Sequence, residues 1–326
     1  MKQMIVILIF VISTLMTFGQ DIPQEYFDLV KKADSLYYAK DFKNSAYKYS
    51  DAFKANGWKG LPRHEYNAAC SWALIATSDS AFFRLSNIAK TANYTDYDHI
   101  TKDTHLNSLH NDSRWDPLLA IIKQNKEKAE INFNKPLIAI LDSIFKEDQK
   151  YRGQLKKIKK QYGWDSKEIK DQWKIINEKD SINLIKIKSI IDEYGWLGSD
   201  VISERGNTTL FLVIQHSDQT TQEKYLPILR EAVQNGKAQG GDLALLEDRV
   251  ALGQGKRQVY GSQIGQDPDT QTYYISPLED PENVDKRRTE VGLEPLAEYV
   301  SMWNIKWDIE QYKKDLPKLE EKLNLK

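Results

Sequence analysis

His216 is the side chain best suited to move a proton near neutral pH, because an unperturbed imidazole titrates close to ~6.5. It follows the apolar stretch from Thr208, in which Thr209, Leu212 and His216 fall at i, i+3 and i+7 and share one helix face. That placement suits an inward acid–base group and equally a hydrogen-bonded core histidine. Arg249 is the companion candidate, able to orient an anionic group or to pair with Asp242 or another carboxylate. His216 and Arg249 are the candidate catalytic residues. Asp242, Asp248, Gln258, Tyr260 and Gln263 are the candidate ligand-binding residues. Their carboxylate, amide and phenol groups suit recognition of an amide, a sugar or a peptide, and serve equally well to close a buried network. Asp248 is off the face of Asp242, so the pattern does not support a paired-carboxylate hydrolase. The chain has no Gly-x-Ser-x-Gly elbow, His-Glu-x-x-His pair or phosphate-binding Gly-Lys-Ser/Thr motif to name an enzyme class.

Most of these groups sit in Gly240 to Gln263, GGDLALLEDRVALGQGKRQVYGSQ. The spacing predicts a short helix with Asp242 as its N-cap and Leu243, Leu246 and Val250 on one face. A glycine-rich exit through Gly253 and Gly255 leads into an aromatic and amide-rich loop or strand. Further on, Asp280-Pro281 is read as an N-cap and first helical position, and Asp285 with Arg288 as an i, i+3 pair. Asp148 and Arg152, four apart in a lysine-rich segment, are read as an exposed pair on a surface helix.

A second set of potential ligands runs from His99 through Asp103, His105 and His110 to Asp112. His99 and Asp103 can face together on a helix, but the next two histidines do not continue a ligand periodicity. No metal and no cofactor are expected. Cys70, the single cysteine, is read as a core residue between Ala69 and Ser71.

The 326 residues allow two domains with a substantial core. With 46 Lys and Arg against 47 Asp and Glu, the formal net charge of -1 argues against a nucleic-acid partner. Lys2 followed by the apolar run Met4 to Met16 reads as a secretory signal ending near Gln20, so the mature chain is expected in the periplasm or outside the cell, without a retained membrane span.

Behind that signal, Ala33, Leu36, Ser45, Tyr49 and Ala52 return 36 residues later as Ala69, Trp72, Ala81, Leu85 and Ile88. Alternating small and large positions suit stacked helical hairpins, and residues 24–92 resemble tetratricopeptide repeats, which implies a protein-binding or domain-packing surface. Asp116-Pro117 is read as the N-cap and first residue of a helix closing that region.

Tyr194-Gly195-Trp196, Gln215-His216, Leu243 through Val250, Gln258 through Gln263, Glu279-Asp280-Pro281 and Asp285 through Arg288 together resemble a bacterial family of domains of unknown function, number 6624 in its series, over roughly 132–299. Ser262 stands where that resemblance expects threonine. The expected fold is mainly α: a signal at 1–20, helical hairpin repeats over 21–131, and a mostly helical C-terminal domain over 132–326 with a short irregular or strand segment. The expected function is recognition of a peptide, protein or small polar ligand in a C-terminal polar cleft. The alternatives are a metal-independent hydrolase or transferase using His216, and a structural envelope protein.

Overall fold

A computed structural model describes residues 22–267 and 270–322. The segment read as an export signal lies outside the described residues. The chain divides into two compact units, one ending at Ala129 and the other beginning at Glu130.

The first unit opens with α1 (Gln24–Tyr38) and α2 (Phe42–Ala55), followed by α3 (Pro62–Leu74) and α4 (Ser78–Thr91); α1 packs on α2, α2 on α3 and α3 on α4. Ala33, Ser45, Tyr49 and Ala52 are buried in the first hairpin, and Ala69, Trp72, Ala81, Leu85 and Ile88 in the second, while Leu36 is half-buried. The turns repeat as well. Lys40 (φ 62°) and Ala76 (φ 57°) both take the left-handed conformation, and Asp41 N–H reaches Leu36 O as Thr77 N–H reaches Trp72 O, both at 2.9 Å. Neither residue is glycine, the usual occupant of that conformation. α5 (Tyr97–Lys102), a 3-10 turn (Thr104–Leu109) and α6 (Trp115–Ala129) close the unit, adding Leu106, Leu109, Trp115 and Leu118 to its core. α6 begins at Trp115, which puts Asp116 inside the first turn rather than at the N-cap.

In the second unit, α7 (Lys135–Tyr162) and α8 (Lys167–Tyr194) run antiparallel, and both stop at glycines with positive φ, Gly163 and Gly195, where a side chain would be strained. α9 (Ser199–Gln215) packs on both, and α10 (Gln219–Gln234) packs on α11 (Gly240–Gly253). Their shared core includes Leu141, Ile187, Leu210, Ile214, Tyr225 and Leu246. An antiparallel hairpin follows, β1 (Ile264–Gln266) with β2 (Tyr273–Ile275), Ile264 opposite Ile275. α12 (Val284–Glu290), α13 (Leu296–Ser301) and α14 (Ile309–Lys322) complete the unit around Leu278, Val284, Leu296 and Tyr312. Among the described residues no helix is long and apolar enough to cross a membrane.

Three local expectations are corrected. α11 starts at Gly240 after an N-cap at Gln239, so Asp242 lies within the first turn and makes no cap bond. Asp280 and Pro281 do stand at the N-cap and first position of a 3-10 turn (Pro281–Asn283), but Asp280 is left-handed (φ 44°) and makes no side-chain cap bond; it receives Asn283 Nδ2 and Arg287 instead. Asp285 and Arg288 each have another partner: Asp285 accepts Leu296 N–H at 2.7 Å, and Arg288 donates to Glu294 O at 2.6 Å and Tyr260 O at 2.7 Å.

Candidate functional site

The middle of α7 does not lie on the surface. Asp148 is 3 % exposed, because its face of α7 is covered by α8 and by the end of α9. Its Oδ1 stands 3.0 Å from His216 Nδ1, and the Arg152 side chain one turn later lies 3.3 Å from the same ring nitrogen. Arg152 Nη2 donates to Asp180 Oδ2 on α8 at 2.7 Å, and its Nε is 3.9 Å from Asp148 Oδ2. Three helices therefore converge on one carboxylate–imidazole–guanidinium cluster. Arg152 Nε also lies 3.5 Å from His216 Nε2, so the imidazole is held between the Asp148 carboxylate and the Arg152 guanidinium.

The two carboxylates are driven apart. Burial pushes Asp148 up, but the hydrogen bond and charge of His216, with Arg152, outweigh it and hold the group below the usual carboxylate range. For Asp180, burial wins, the charge of Asp148 adds to it, and the group is raised despite Arg152. Asp148, Asp180 and His216 offer donor atoms within 4.8 Å of one another, the spacing a cation would need. Arg152 already sets a permanent positive charge against both carboxylates.

Arg249, on α11, is near enough to Arg152 to feel its charge. Burial is the main influence on it and disfavours its charged form, the Tyr299 phenol lies nearby, and Arg152 adds repulsion. Its Nε is buried without an acceptor, and no carboxylate pairs with it among the described residues. Arg152 Nη1, Asp180 Oδ1, Asn183 Nδ2 and Gln215 Oε1 are also buried without partners in the chain. Asn183 lies one turn beyond Asp180, and Gln215 directly precedes His216. Buried polar atoms are ordinarily paired, which sets these apart from the rest of the unit.

The 258–263 loop is organised differently. Asp248 is fully buried and accepts the N–H groups of Val259, Tyr260 and Ser262 at 2.6, 2.9 and 2.9 Å. Burial raises its carboxyl, and those three donors pull the other way. Gln258 Nε2 donates to Gln263 O and Ser276 O, its Oε1 accepts Gln263 N–H, and Gln263 Nε2 reaches Leu245 O and Ser262 Oγ. Tyr260 is half-buried with its hydroxyl against Glu247. Asp242 is half-buried in the first turn of α11, where burial alone pushes it up to about 6. Arg152 thus contacts His216 and is felt by Arg249, whereas Gln258, Gln263 and Asp248 bond mainly to the chain around them.

The sequence model of a family of unknown function, DUF6624, matches residues 137–310, a little over half of the chain. The chain belongs to the DUF6624 family. No curated protein and no solved structure matches it. The DUF6624 match contains the whole Asp148–Arg152–Asp180–His216–Arg249 cluster and the loop that Asp248 anchors. Within this DUF6624 domain, Ser262 is buried, gives its N–H to Asp248 and accepts from Gln263, so the hydroxyl in place of threonine's belongs to the loop network.

Asp148, Arg152 and Asp180 were not among the candidate site residues. The signal for Arg152 was present, since Asp148 and Arg152 are spaced one helical turn apart, but that spacing is also the mark of an ordinary solvent-facing pair. Nothing local distinguishes Asp180 from the many charged residues of α8.

Proposed function

We propose that the DUF6624 domain binds a small polar ligand through an anionic group, phosphate or carboxylate, held by Arg249 and Arg152. One observation carries this reading: Arg249 has a buried Nε with no acceptor and no carboxylate paired with it among the described residues, and the Arg152 guanidinium repels it. An isolated charge is costly to bury, and a water molecule would satisfy its N–H groups without offsetting two like charges. A bidentate anion does both. Inorganic phosphate, sulfate and citrate, titrated against the full chain in a thermal-unfolding assay, test it. Phosphate or citrate should raise the unfolding temperature, and Arg249→Met should abolish the rise while leaving the unliganded protein at least as stable. Absence of any anion response in the unaltered protein would overturn the proposal.

A second reading, a metal-independent hydrolase or transferase, is favoured by the Asp148–His216 contact at 3.0 Å. A buried carboxylate on Nδ1 orients the ring, and an anion held by Arg152 would place a substrate beside it. Turnover of phosphate or carboxylate esters that is lost in His216→Gln with anion binding retained supports catalysis; binding without turnover supports recognition alone.

The remaining parts of this reading rest on the sequence. Lys2 and the apolar run to Met16 support export to the periplasm or beyond, which an intact mass beginning near Gln20 or Asp21 would establish. Two hairpins with the same turn geometry support a tetratricopeptide-like module that presents a surface to a protein or peptide. A purely structural role in the envelope would leave Arg249 without a ligand to explain it.

A further inference from the structure

We infer that the repeat unit holds a zinc-class divalent ion on the Cys70 thiolate, an Asp103 carboxylate oxygen and a His105 ring nitrogen. Donor atoms of these three residues lie within 4.8 Å of one another. Cys70 Sγ is 3.5 Å from Asp103 Oδ2, and His105 Nδ1 is 2.8 Å from Asp103 Oδ1. Atoms that share one tetrahedral zinc, with bonds of roughly 2.0–2.3 Å, stand at about this spacing. Thiolate, imidazole and carboxylate together also suit a borderline-soft ion better than they suit calcium or magnesium.

Local structure holds the donors in place. Cys70 is fixed in α3 at 4 % exposure. Asp103 caps the 3-10 turn, accepting His105 N–H on Oδ1 at 3.0 Å, and Tyr66 donates its hydroxyl to Oδ2 at 2.9 Å. Those two bonds orient the carboxylate as outer partners orient the ligands of metal sites. His99 approaches the same oxygen at 4.0 Å and stacks on Tyr66 with ring centroids 4.9 Å apart. All of these groups line a pocket of about 260 Å3, with room beside the three protein ligands for a fourth. His110 and Asp112 take no part: His110 packs on Trp115 and Asp112 is held by Arg114. Spacing along the chain could not reveal the set, because Cys70 lies 33 positions before Asp103.

Binding the ion converts the thiol to a thiolate and releases its proton to solvent. Since the chain has one cysteine, any thiolate–metal signal comes from Cys70. The decisive experiment is a cobalt(II) titration of chelator-treated full-length protein under reducing conditions. One equivalent at micromolar protein should produce a near-ultraviolet thiolate-to-cobalt charge-transfer band that zinc displaces. The band should vanish in Cys70→Ser, and cobalt should bind about tenfold or more weakly to His105→Ala. His105 is largely exposed, so that variant tests the site even where Cys70→Ser folds poorly. Ions captured by Asp148, Asp180 and His216 would give no such band, because that cluster has no thiol. No charge-transfer band at stoichiometric cobalt, or a band unchanged in His105→Ala, overturns the inference.

Discussion

Asp148 and His216, 68 positions apart, meet at 3.0 Å and tie the middle of α7 to the end of α9. The contact is buried on the aspartate side and continues through Arg152 to Asp180 on α8. Asp148 is thus both the orienting partner of the one candidate base in this cluster and part of what joins three helices.

Asp148→Asn should cost about 3 kcal/mol at pH 7, since it leaves His216 and Arg152 facing an uncharged amide in a buried setting. The carboxyl is held below its ordinary value, so its contribution is fully present above the unfolded value of about 3.9 and is lost as pH falls through the lower folded value. Urea unfolding of both proteins at pH 7 and below pH 3 checks the sign. The difference between them should shrink in acid.

Asp242 behaves in the opposite sense. Burial raises it to about 6 with no opposing charge, so the folded state takes up a proton before the unfolded chain does and stability falls as pH rises from about 4 to 6. Asp242→Asn should therefore stabilise the protein at pH 8, by on the order of 1–3 kcal/mol, and the gain should disappear below about pH 4. Thermal unfolding across that range would detect it. An asparagine variant less stable than the parent at pH 8 would show that the carboxylate has a counter-charge in solution.

Asp248→Ala removes the acceptor shared by Val259, Tyr260 and Ser262. A loss of about 3–5 kcal/mol is expected, because three buried N–H groups lose a charged partner together. Amide hydrogen exchange should accelerate at those three residues before it does in α7 or α8. Uniform acceleration would contradict the assignment of Asp248 as a local anchor.

Ala81 is wholly buried where α4 approaches its neighbours. Ala81→Leu should destabilise the repeat unit by about 1–3 kcal/mol through overpacking, whereas Lys90→Ala on the exposed side of the same helix should change stability by less than about 0.5 kcal/mol. Denaturation of the two variants compares them directly. Equal effects would mean that the small residue is not required for close approach.

Two kinds of information are separable in this chain. The helical character, the paired hairpins 36 residues apart and the short β segment near Tyr273 were legible in the sequence, because each depends on neighbours within a few turns: apolar period, small residues and glycine or proline boundaries. The candidate site was half legible. Chemistry alone singled out His216 and Arg249, but Asp148 and Arg152 looked like a surface pair, and Asp180 looked like any other charge on a long helix. Only the packing of α7, α8 and α9 decided that these groups lose water and face one another. The same holds for Gln258 and Gln263. An amide's capacity to bond is identical whether it meets a ligand or the backbone, and only the path of the loop past Asp248 and Ser276 decided which partner it meets. Periodicity is a property of the chain and can be read from it, whereas the partner of a polar group depends on contacts between residues far apart in sequence, which exist only once the chain has folded.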